Sequence, residues 1–532
     1  MEKRWLSAYD SGVPASINYP EVPVHQPFFE AAARNPNAAA VIDRDLILSY
    51  ADLATRVTSF SRALAELGVG KGTNIGILLP NLPELIVAYY GVLATGATAV
   101  MLNPALVARE FEQMVADAGF EILVTLDELK ETIMNARERC GLETVIVVRC
   151  PRGAGGGDPI PAPDTIPFEA LVEQGGPQFE PPAVDAREDV ALLIYTGGTT
   201  GLPKAVMLTH YAVVANALQL GSWVDLHEGF PAMAALPLFH SYGMSTGINA
   251  PLFHGAATVL ARGDGPAELV ENIERHGVRL LVGVPSTVEG LVNHCEATNA
   301  DISSLEYCFV GAAPLPKVIR KRFNCLTSTR LLEGYGLTEA VTAQSANPRR
   351  GTSKPGSIGL PFPDVEFKIV DLETGTKELL PEKAGELAIA GPCLMKGYYN
   401  KPSDTAKAMR DGWLYTGDIA WVDHDGYFYV IDRKKDMVTT GVFKAYPAEV
   451  EAVINSHPGV KESAVVGLFD DFRGHSLKAF VVLEPGQSLT DAELLDFLKA
   501  NLSAHKVPRV VEFITELPRS ASGKILRKDL ES

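Results

Sequence analysis

Short apolar runs bounded by glycine or proline alternate with helical segments along most of this chain of 532 residues. Continuous apolar runs are typical of strands buried on both faces of a sheet, and residues 52–67 and 266–276 have the composition of helices between them. The alternation predicts an α/β fold with largely buried strands, and the length predicts two or more domains. The predicted strands are residues 73–79, 121–125, 144–148, 190–195, 256–260, 279–284 and 307–311.

One loop between two apolar runs has the composition of an anion-binding site. Residues 195–204 read Tyr-Thr-Gly-Gly-Thr-Thr-Gly-Leu-Pro-Lys. Glycines let backbone N–H groups face phosphate oxygens, threonine hydroxyls donate further hydrogen bonds, and Lys204 supplies positive charge. The spacing excludes a Walker P-loop, because no Gly-Lys-Ser/Thr closes it after four intervening residues. A purely structural glycine–threonine loop remains the alternative.

Charge and cysteine usage narrow the class of partner. The chain has 65 acidic and 47 basic residues and a formal net charge of −18, which disfavours nucleic acid as a partner. A nucleotide-binding site must therefore supply its positive charge locally. The six cysteines show neither C-x-x-C spacing nor a zinc-type cluster with histidine. This pattern predicts free thiols in a reducing compartment, and we expect the protein to be cytoplasmic.

Residues 85–108 contain no charged side chain and are long enough to span a bilayer. Pro83 and Glu84 stand where a helix would begin, and Gly96 stands where one would end. The segment therefore predicts a buried helix followed by a buried strand at residues 99–102, rather than a transmembrane helix. The N-terminal residues show no secretory signal, and the C-terminal residues show no peroxisomal tripeptide.

Two changes in composition suggest how the chain is organised. Residues 151–183 are rich in glycine and proline and predict a surface excursion without packed structure. Near residue 433 an aromatic strand gives way to four charged residues, which predicts a boundary between domains at 1–432 and 433–532. The second domain predicts a helix from Pro447, strands at 463–468 and 477–483, and a helix capped by Thr490 and Glu493.

Four further segments carry residues suited to nucleotide chemistry. Residues 334–339 (GYGLTE) combine an aromatic ring, a hydroxyl and a carboxylate, which could stack a base, bind phosphate and hold a divalent metal. Asp418 in YTGD could accept hydrogen bonds from ribose, and Arg433 places a guanidinium after the next strand. Residues 518–524 (PRSASGK) form a polar loop that ends in Lys524. Taken singly, each segment also has a purely structural explanation.

Taken in order, these motifs resemble those of the acyl-adenylate-forming superfamily, which includes acyl-CoA synthetases, 4-coumarate–CoA ligases, luciferases and peptide-synthetase adenylation domains. The resemblance runs from about residue 26 to the end and is strongest to bacterial fatty acid–CoA ligases and 4-coumarate–CoA ligases. It implies a large N-terminal α/β domain of several subdomains and a small, mobile α+β C-terminal domain. The matching motifs are YTGGTTGLPKAVMLTH, LPLFHSYGM, GYGLTE, YTGD, GYFYVIDRKKD and PRSASGKILRK.

The resemblance implies a reaction in two steps. A carboxylate attacks the α-phosphate of ATP, with Mg²⁺ bound, to give acyl-AMP and pyrophosphate; the thiol of coenzyme A then displaces AMP. Thr199, Thr200 and Lys204 would hold the β- and γ-phosphates, and Tyr335 would stack on adenine. The implied nucleotide-binding residues are Thr196, Gly198, Thr199, Thr200, Gly201, Lys204, Gly334, Tyr335, Gly336, Asp418, Val430 and Arg433.

The implied catalytic residues lie near the reacting groups. Thr338 would contact the α-phosphate, and Glu339 would ligate magnesium. Asp418 would bind the ribose hydroxyls with help from Arg433. Lys524 would bridge the substrate carboxylate and the α-phosphate in the first step, where two anions must approach each other.

The second step would need the C-terminal domain to move. Lys435 occupies the family's hinge position, and the charged break in the sequence there suits a hinge. The tunnel for coenzyme A would include Gly441, Val442 and Lys444. Val442 stands where the family usually has glycine, and a β-branched side chain there could crowd pantetheine. Elsewhere the departures are small, such as Ala205 in place of the common glycine.

The implied acyl pocket is mostly small or apolar. His240 would border it, with a histidine simply packed in the core as the alternative. The remaining implied pocket residues are Tyr242, Gly243, Gly283, Gly311, Ala312, Ala313 and Pro314. This lining favours an apolar carboxylic acid over an amino acid, whose ammonium would need an acidic partner.

We therefore expect an ATP-dependent acyl-CoA synthetase that acts on an apolar carboxylic acid, with a fatty acid as the first candidate. The alternatives are an aryl acid–CoA ligase of the coumarate or benzoate kind, and an acyl-AMP ligase that passes the acyl group to a carrier protein. An inert ATP-binding protein is disfavoured, since binding alone would not require Lys524. Peripheral membrane association and a homodimer stay open.

Overall fold

The computed structural model describes residues 3–149, 165–173, 179–196, 204–434, 437–440, 443–470, 474–502, 506–519 and 525–530. The chain divides into two compact units. The smaller unit comprises Met1–Arg4, Phe367–Ile389 and Trp413–Ser532, and the larger unit comprises Trp5–Glu366 and Ala390–Gly412. The domain boundary predicted at residue 433 stays a prediction.

The helices are numbered in chain order. Short 3₁₀ turns lie at Arg4–Ala8, Asp127–Leu129, Thr338–Ala340 and Arg527–Leu530, and a π-helical turn lies at Ser245–Asn249. The α-helices are α1 His25–Arg34, α2 Tyr50–Glu66, α3 Pro83–Ala94, α4 Ala108–Ala118, α5 Lys130–Cys140, α6 Phe168–Val172, α7 His210–Val224, α8 Ser241–Met244, α9 Ala250–Phe253, α10 Pro266–His276, α11 Pro285–Thr298, α12 Lys317–Leu326, α13 Pro402–Ala408, α14 Pro447–Ile454 and α15 Asp491–Asn501.

The strands are numbered in the same way. They are β1 Ala39–Asp43, β2 Leu46–Ser49, β3 Asn74–Leu78, β4 Thr98–Met101, β5 Ile122–Leu126, β6 Thr144–Val148, β7 Thr165–Pro167, β8 Val190–Thr196, β9 Lys204–Thr209, β10 Pro231–Ala234, β11 Ala257–Leu260, β12 Leu280–Gly283, β13 Tyr307–Val310, β14 Arg330–Gly336, β15 Ala343–Ala346, β16 Leu360–Pro361, β17 Glu366–Val370, β18 Gly385–Ala390, β19 Gly397–Tyr398, β20 Met409–Arg410, β21 Trp413–Val422, β22 Phe428–Arg433, β23 Val438–Thr440, β24 Phe443–Ala445, β25 Val460–Asp470, β26 Gly474–Leu483 and β27 Val510–Phe513.

Two sheets build the larger unit. Among the described residues one sheet has the strand order β16-β15-β14-β13-β12-β10-β11-β1-β2, and the other has the order β19-β9-β8-β4-β3-β5-β6-β7. Strands β12, β13 and β14 run parallel, as do β3, β4 and β5, whereas β8, β9 and β19 pair antiparallel. The first sheet packs against α10, α11 and α12 through apolar side chains such as Ile273, Val288 and Phe323.

Among its described residues, the smaller unit contains mostly antiparallel strands and two α-helices. Strands β18, β21 and β22 pair antiparallel, with β17 beside β18. Strand β26 pairs antiparallel with β25 and parallel with β27. Val450, Ile454 and Leu494 from α14 and α15 pack on this second sheet. The unit therefore has the α+β character predicted for the C-terminal domain.

Local signals in the sequence explain several of these elements. Helix α15 begins at a capping box, in which the Thr490 hydroxyl accepts from the Glu493 N–H and the Glu493 carboxylate accepts from the Thr490 N–H. Helix α3 begins with Pro83 and is buried along nearly its whole length before the buried strand β4. The helix and strand predicted at residues 85–102 are thus confirmed. Within the described residues no helix combines the length and apolar character that crossing a bilayer requires.

One predicted region is different. Residues 151–183 were expected to carry no packed structure, yet β7 and α6 lie within them. Strand β7 extends the sheet beside β6, and Phe168 is 2% exposed with its ring centroid 4.9 Å from that of Phe60. Glycine and proline frequency over the whole stretch obscured a short apolar segment at 165–172. The surface prediction is therefore wrong for that segment.

Candidate active site

The predicted phosphate loop is held by a β-hairpin of the larger unit. Strands β8 and β9 pair antiparallel, with Thr196 directly opposite Lys204. The Thr196 hydroxyl donates to the Lys204 carbonyl oxygen at 3.3 Å. Lys204 therefore stands at a defined strand end where the loop closes. The other predicted loop residues, Gly198, Thr199, Thr200 and Gly201, lie outside the described residues.

The Lys204 side chain belongs to a cluster of four with Asp404, Tyr398 and Glu339. Its Nζ lies 2.8 Å from Asp404 Oδ2 and 5.1 Å from the centroid of the Tyr398 ring. The Tyr398 phenol donates in turn to Glu339 Oε1 at 2.9 Å. The hydrogen bond from Lys204 holds the pKa of Asp404 below its usual range. The cluster thus links the predicted phosphate ligand to the predicted metal ligand.

The fold brings Thr338 beside Ser241, in the motif that also contains His240. The Thr338 hydroxyl lies 3.2 Å from the hydroxyl of Ser241. His240 directly precedes Ser241 and caps α8, with Nδ1 accepting from the Tyr242 N–H at 3.2 Å. His240 is among the exposed residues of the larger unit, and its place at the border of an acyl pocket stays a prediction. Desolvation by the surrounding protein lowers the pKa of His240.

The GYG portion of the second motif lies in strand β14. Tyr335 is half-buried and pairs with Ser345 of β15. A Cβ on Gly336 would lie 2.0 Å from the Thr342 carbonyl oxygen, so the close approach of two backbones requires glycine there. Val341 follows with φ 64°, a rare conformation for a β-branched residue. The backbone on both sides of the 3₁₀ turn that carries Thr338 and Glu339 is therefore tightly constrained.

Several predicted acyl-pocket residues meet at the carboxyl ends of parallel strands. Gly283 ends β12 and Gly311 follows β13, and the Gly311 N–H donates to the Gly283 carbonyl at 3.2 Å. Tyr242 is 8% exposed, its Oη has no hydrogen-bond partner among the described residues, and burial raises its pKa. A Cβ on Gly311 would lie 2.9 Å from this oxygen. Next in sequence, Ala312, Ala313 and Pro314 are exposed, whereas Gly243 is buried.

The predicted ribose-binding residues lie in the smaller unit. Asp418 and Arg433 are directly opposite on β21 and β22, and Asp418 Oδ1 lies 2.7 Å from Arg433 Nε. The Asp418 N–H donates to the Thr416 hydroxyl at 3.0 Å. Val430 lies on β22, half-buried, and pairs with Ala420. The pair of Asp418 and Arg433 is thus fixed by the strand register.

The predicted catalytic lysine, the hinge and most of the predicted coenzyme A tunnel fall in stretches that the structure does not describe. Lys524, Lys435, Gly441 and Val442 lie outside the described residues. The backbone of Lys444 lies in β24, opposite Thr439 of β23. The roles given to these residues stay predictions from the resemblance.

Sequence reasoning missed Tyr398, Asp404 and Ser241. Tyr398 belongs to the short strand β19, and Asp404 to the first turn of α13. Neither stands in a motif with evident chemistry. The one local signal was that Asp404 follows Pro402 by two residues, as acidic residues in the first turn of a helix often do. That pattern predicts the start of a helix and does not indicate catalysis.

The residues present suit a magnesium ion held together with substrate phosphates. No group of three or more metal-binding side chains occurs among the described residues. Mg²⁺ usually binds through one or two carboxylates plus phosphates and water. Glu339 supplies one such carboxylate, with Oε1 bound by Tyr398. This donor set therefore fits the metal that the resemblance implies.

Comparison with known proteins identifies the family. The sequence profile described as "AMP-binding enzyme" matches residues 28–399, and that of the "AMP-binding enzyme C-terminal domain" matches residues 449–524. The chain belongs to the family of AMP-binding enzymes. The predicted superfamily and its fold are thereby confirmed.

Relatives agree with this assignment over nearly the whole chain. A long-chain fatty acid–CoA ligase of Bacillus subtilis is 35% identical, covering 99% of this chain and 98% of the relative. A feruloyl-CoA synthase of Amycolatopsis is 34% identical, covering 94% and 96%. The solved structure of an O-succinylbenzoate coenzyme A synthetase from Bacillus subtilis, in complex with ATP and magnesium, has a TM-score of 0.83 at 29% identity, covering 96% and 100%.

Proposed function

We propose that this protein is an AMP-forming acid–CoA ligase that activates an apolar carboxylic acid, a fatty acid in the first place, through acyl-AMP to acyl-CoA. The observation that carries the proposal is the convergence of Lys204 and Glu339 on the Tyr398 side chain in the larger unit, with Thr338 directly beside Glu339 in the chain. Such a set can bind a triphosphate. The CoA ligase relatives, similar over their full length, support the same reaction.

The chemistry requires positive charge at this place. A carboxylate and a triphosphate must approach each other, and unit charges about 4 Å apart repel by roughly 4 kcal/mol at an effective dielectric constant near 20. In this proposal Lys204 binds the β- and γ-phosphates and Lys524 bridges the two reacting anions. Magnesium held by Glu339 would neutralise phosphate charge. Thr338 donates to the α-phosphate and orients it for attack.

The pocket residues support an apolar acid. Gly283, Gly311 and Gly243 add no side-chain volume, and Tyr242 supplies an aromatic wall. No acidic partner for a substrate ammonium stands among these residues. An aryl acid is the second candidate, because the buried Tyr242 phenol could donate to a polar substituent on a ring. The carrier-protein alternative, a cytoplasmic location and a homodimer stay predictions.

A substrate profile tests the proposal directly. AMP release should be measured with ATP and coenzyme A across straight-chain and aromatic acids, with thioester formation followed in parallel. Thioester formation with straight-chain acids would support the first candidate, and with aromatic acids the second. AMP release without any thioester would overturn the CoA ligase assignment and favour a carrier protein as acceptor.

The role of Lys524 gives the largest expected loss. Lys524→Ala should lower carboxylate-dependent pyrophosphate exchange on the order of 10²–10³-fold, by analogy with the loss of one donor to a developing charge. Thioester formation from preformed acyl-AMP should be spared. Lys528→Ala, four residues further on, is the matched control and should change neither step. Equal losses in both steps for Lys524→Ala would contradict the role.

A further inference from the structure

A short segment of the larger unit, residues 395–408, is bound to both of the predicted phosphate and metal elements. Strand β19 pairs antiparallel with β9, the strand that begins with Lys204. The Tyr399 N–H donates to the Ala205 carbonyl at 2.8 Å, and the Met395 N–H donates to the Glu339 carbonyl at 2.8 Å. The backbone of this segment is therefore fixed relative to both Lys204 and Glu339.

The Tyr398 side chain fills the space between those two residues. Its ring lies beneath the Lys204 ammonium, and its phenol donates to Glu339 Oε1. The Tyr398 N–H donates to the Thr405 hydroxyl at 2.9 Å, which ties the tyrosine to α13. Burial, and secondly the Glu339 carboxylate, raise the pKa of Tyr398.

The two oxygens of the Glu339 carboxylate have different surroundings. Oε1 accepts from Tyr398, whereas Oε2 accepts from no residue that the structure describes. A carboxylate anchored through one oxygen loses rotational freedom before it binds a metal. Such anchoring groups around a metal ligand typically contribute 10–100-fold in metal affinity or activity.

We propose that Tyr398 is a positioning residue for metal binding, which holds the Glu339 carboxylate so that Oε2 is presented to the divalent cation that accompanies ATP. The inference rests on the proposed function, in which Glu339 ligates Mg²⁺. It adds a residue outside the sequence motifs to the machinery of the first step. It also gives the β19 segment a role beyond completing a sheet.

The test measures metal affinity directly in the full-length enzyme. Binding of Mn²⁺ is followed by electron paramagnetic resonance in the presence of saturating α,β-methylene-ATP, a non-hydrolysable analogue. Tyr398→Phe removes only the phenol oxygen and keeps the ring beneath Lys204. We expect its Kd for Mn²⁺ to rise about tenfold, toward the lower end of effects seen for anchoring groups.

Matched variants separate the inference from the function on which it rests. Tyr399→Phe removes the neighbouring phenol and should leave the Kd for Mn²⁺ unchanged. Glu339→Gln should raise it at least as much as Tyr398→Phe. If Glu339→Gln raises the Kd and Tyr398→Phe does not, the positioning role is wrong and the metal role of Glu339 stands. If neither variant changes the Kd, the metal role of Glu339 is wrong, and the positioning role with it.

Discussion

Each unit contains an ion pair that involves a residue proposed to bind the nucleotide. The two ion pairs differ in how far their side chains are exposed to water. In the larger unit, Lys204 and Asp404 lie 2.8 Å apart with side chains 38% and 29% exposed. In the smaller unit, Arg433 and Asp418 lie 2.7 Å apart with side chains 39% and 3% exposed, so that only the carboxylate is buried. Almost equal distances therefore describe two physically different interactions.

The difference teaches that burial, more than distance, decides what such a pair can do. Water and salt screen an exposed pair, which typically contributes 0–1 kcal/mol. A buried carboxylate cannot lose its partner without a larger cost, since the charge stays behind in a poorly solvated place. Asp418 is also anchored through Thr416, whose hydroxyl donates to the Leu387 carbonyl at 2.8 Å. The Asp418 carboxylate is therefore held in one buried, hydrogen-bonded position, whereas both members of the Lys204 pair are partly exposed and can exchange partners.

The largest effect within this comparison is expected at Asp418. Asp418→Ala should lower kcat/KM for ATP in pyrophosphate exchange on the order of 100-fold. A hydrogen bond to a charged group contributes about 1.5–3 kcal/mol, and the variant loses both the proposed ribose contact and the partner of Arg433.

Glu382→Gln is the control for the Asp418 variant. Glu382 is an exposed acid of the same unit, 3.5 Å from His424 and 65% exposed, and its replacement should leave the rate unchanged. A loss below threefold for Asp418→Ala would contradict the ribose role and show that burial of this pair serves only the fold.

Much of the fold could be predicted from the sequence because its signals are local. The predicted strand at 144–148 is β6, and the predicted helix at 266–276 is α10. Each is an apolar or periodic run bounded by glycine or proline. The order of strands in the sheets could not be predicted in this way. Strand β1 lies beside β11, a partner far along the chain, and no local pattern encodes that pairing.

The residues of the candidate site also fall into those that the sequence could indicate and those that it could not. Lys204, Glu339 and Asp418 were predictable because each stands in a motif that combines glycine with hydroxyl or charged residues. Tyr398 and Asp404 were not, since their chemistry arises only when β19 pairs with β9. A tyrosine in a short strand and an aspartate at a helix start have no special meaning until the tertiary fold places them beside Lys204.

A pair of buried histidines in the larger unit extends the comparison to groups for which burial is the main cause of the pKa shift. His25 and His210 are 4% and 0% exposed, and the His210 Nδ1 accepts from the Val24 N–H at 3.1 Å. Burial lowers the pKa of His25 to about 4 and, together with His25 itself, that of His210 to about 3. Nearby Asp189 opposes the shift of His210 only weakly.

The next effect is therefore a loss of stability in acid. Below the ordinary histidine pKa near 6.5, the unfolded chain binds protons that the folded protein does not, so the free energy of unfolding falls as the pH falls toward 4. The expected loss is about 2 kcal/mol per histidine between pH 7 and pH 5. Urea unfolding at the two pH values measures it.

Replacement of one histidine sharpens that measurement. His25→Gln should reduce the difference between pH 7 and pH 5 by about 2 kcal/mol, whatever it does to stability at pH 7. His294→Gln is the control, because His294 lies on α11 away from the pair in sequence and should leave the difference unchanged. An unaltered pH dependence in His25→Gln would show that the pKa of His25 is the same in the folded and the unfolded states.

The smallest effect is expected at Asp404. Asp404→Asn removes the carboxylate that pairs with Lys204. The nucleotide phosphates then no longer have to displace this carboxylate in order to bind the Lys204 ammonium. The Kd for α,β-methylene-ATP should fall by at most about fivefold, as expected for a pair worth 1 kcal/mol or less. The change should shrink at high salt, since ions screen exposed charges.

Lys407→Gln is the matched control for Asp404. Lys407 Nζ lies 3.7 Å from Asp404 Oδ1, so its removal leaves Asp404 with Lys204 as its remaining cation among the described residues. The Kd for the analogue should then stay constant or rise slightly, opposite in sign to Asp404→Asn. If Asp404→Asn instead weakens binding more than tenfold at any salt concentration, the exposed pair orients Lys204 as firmly as a buried one. Exposure to water would then not explain any difference between the two ion pairs.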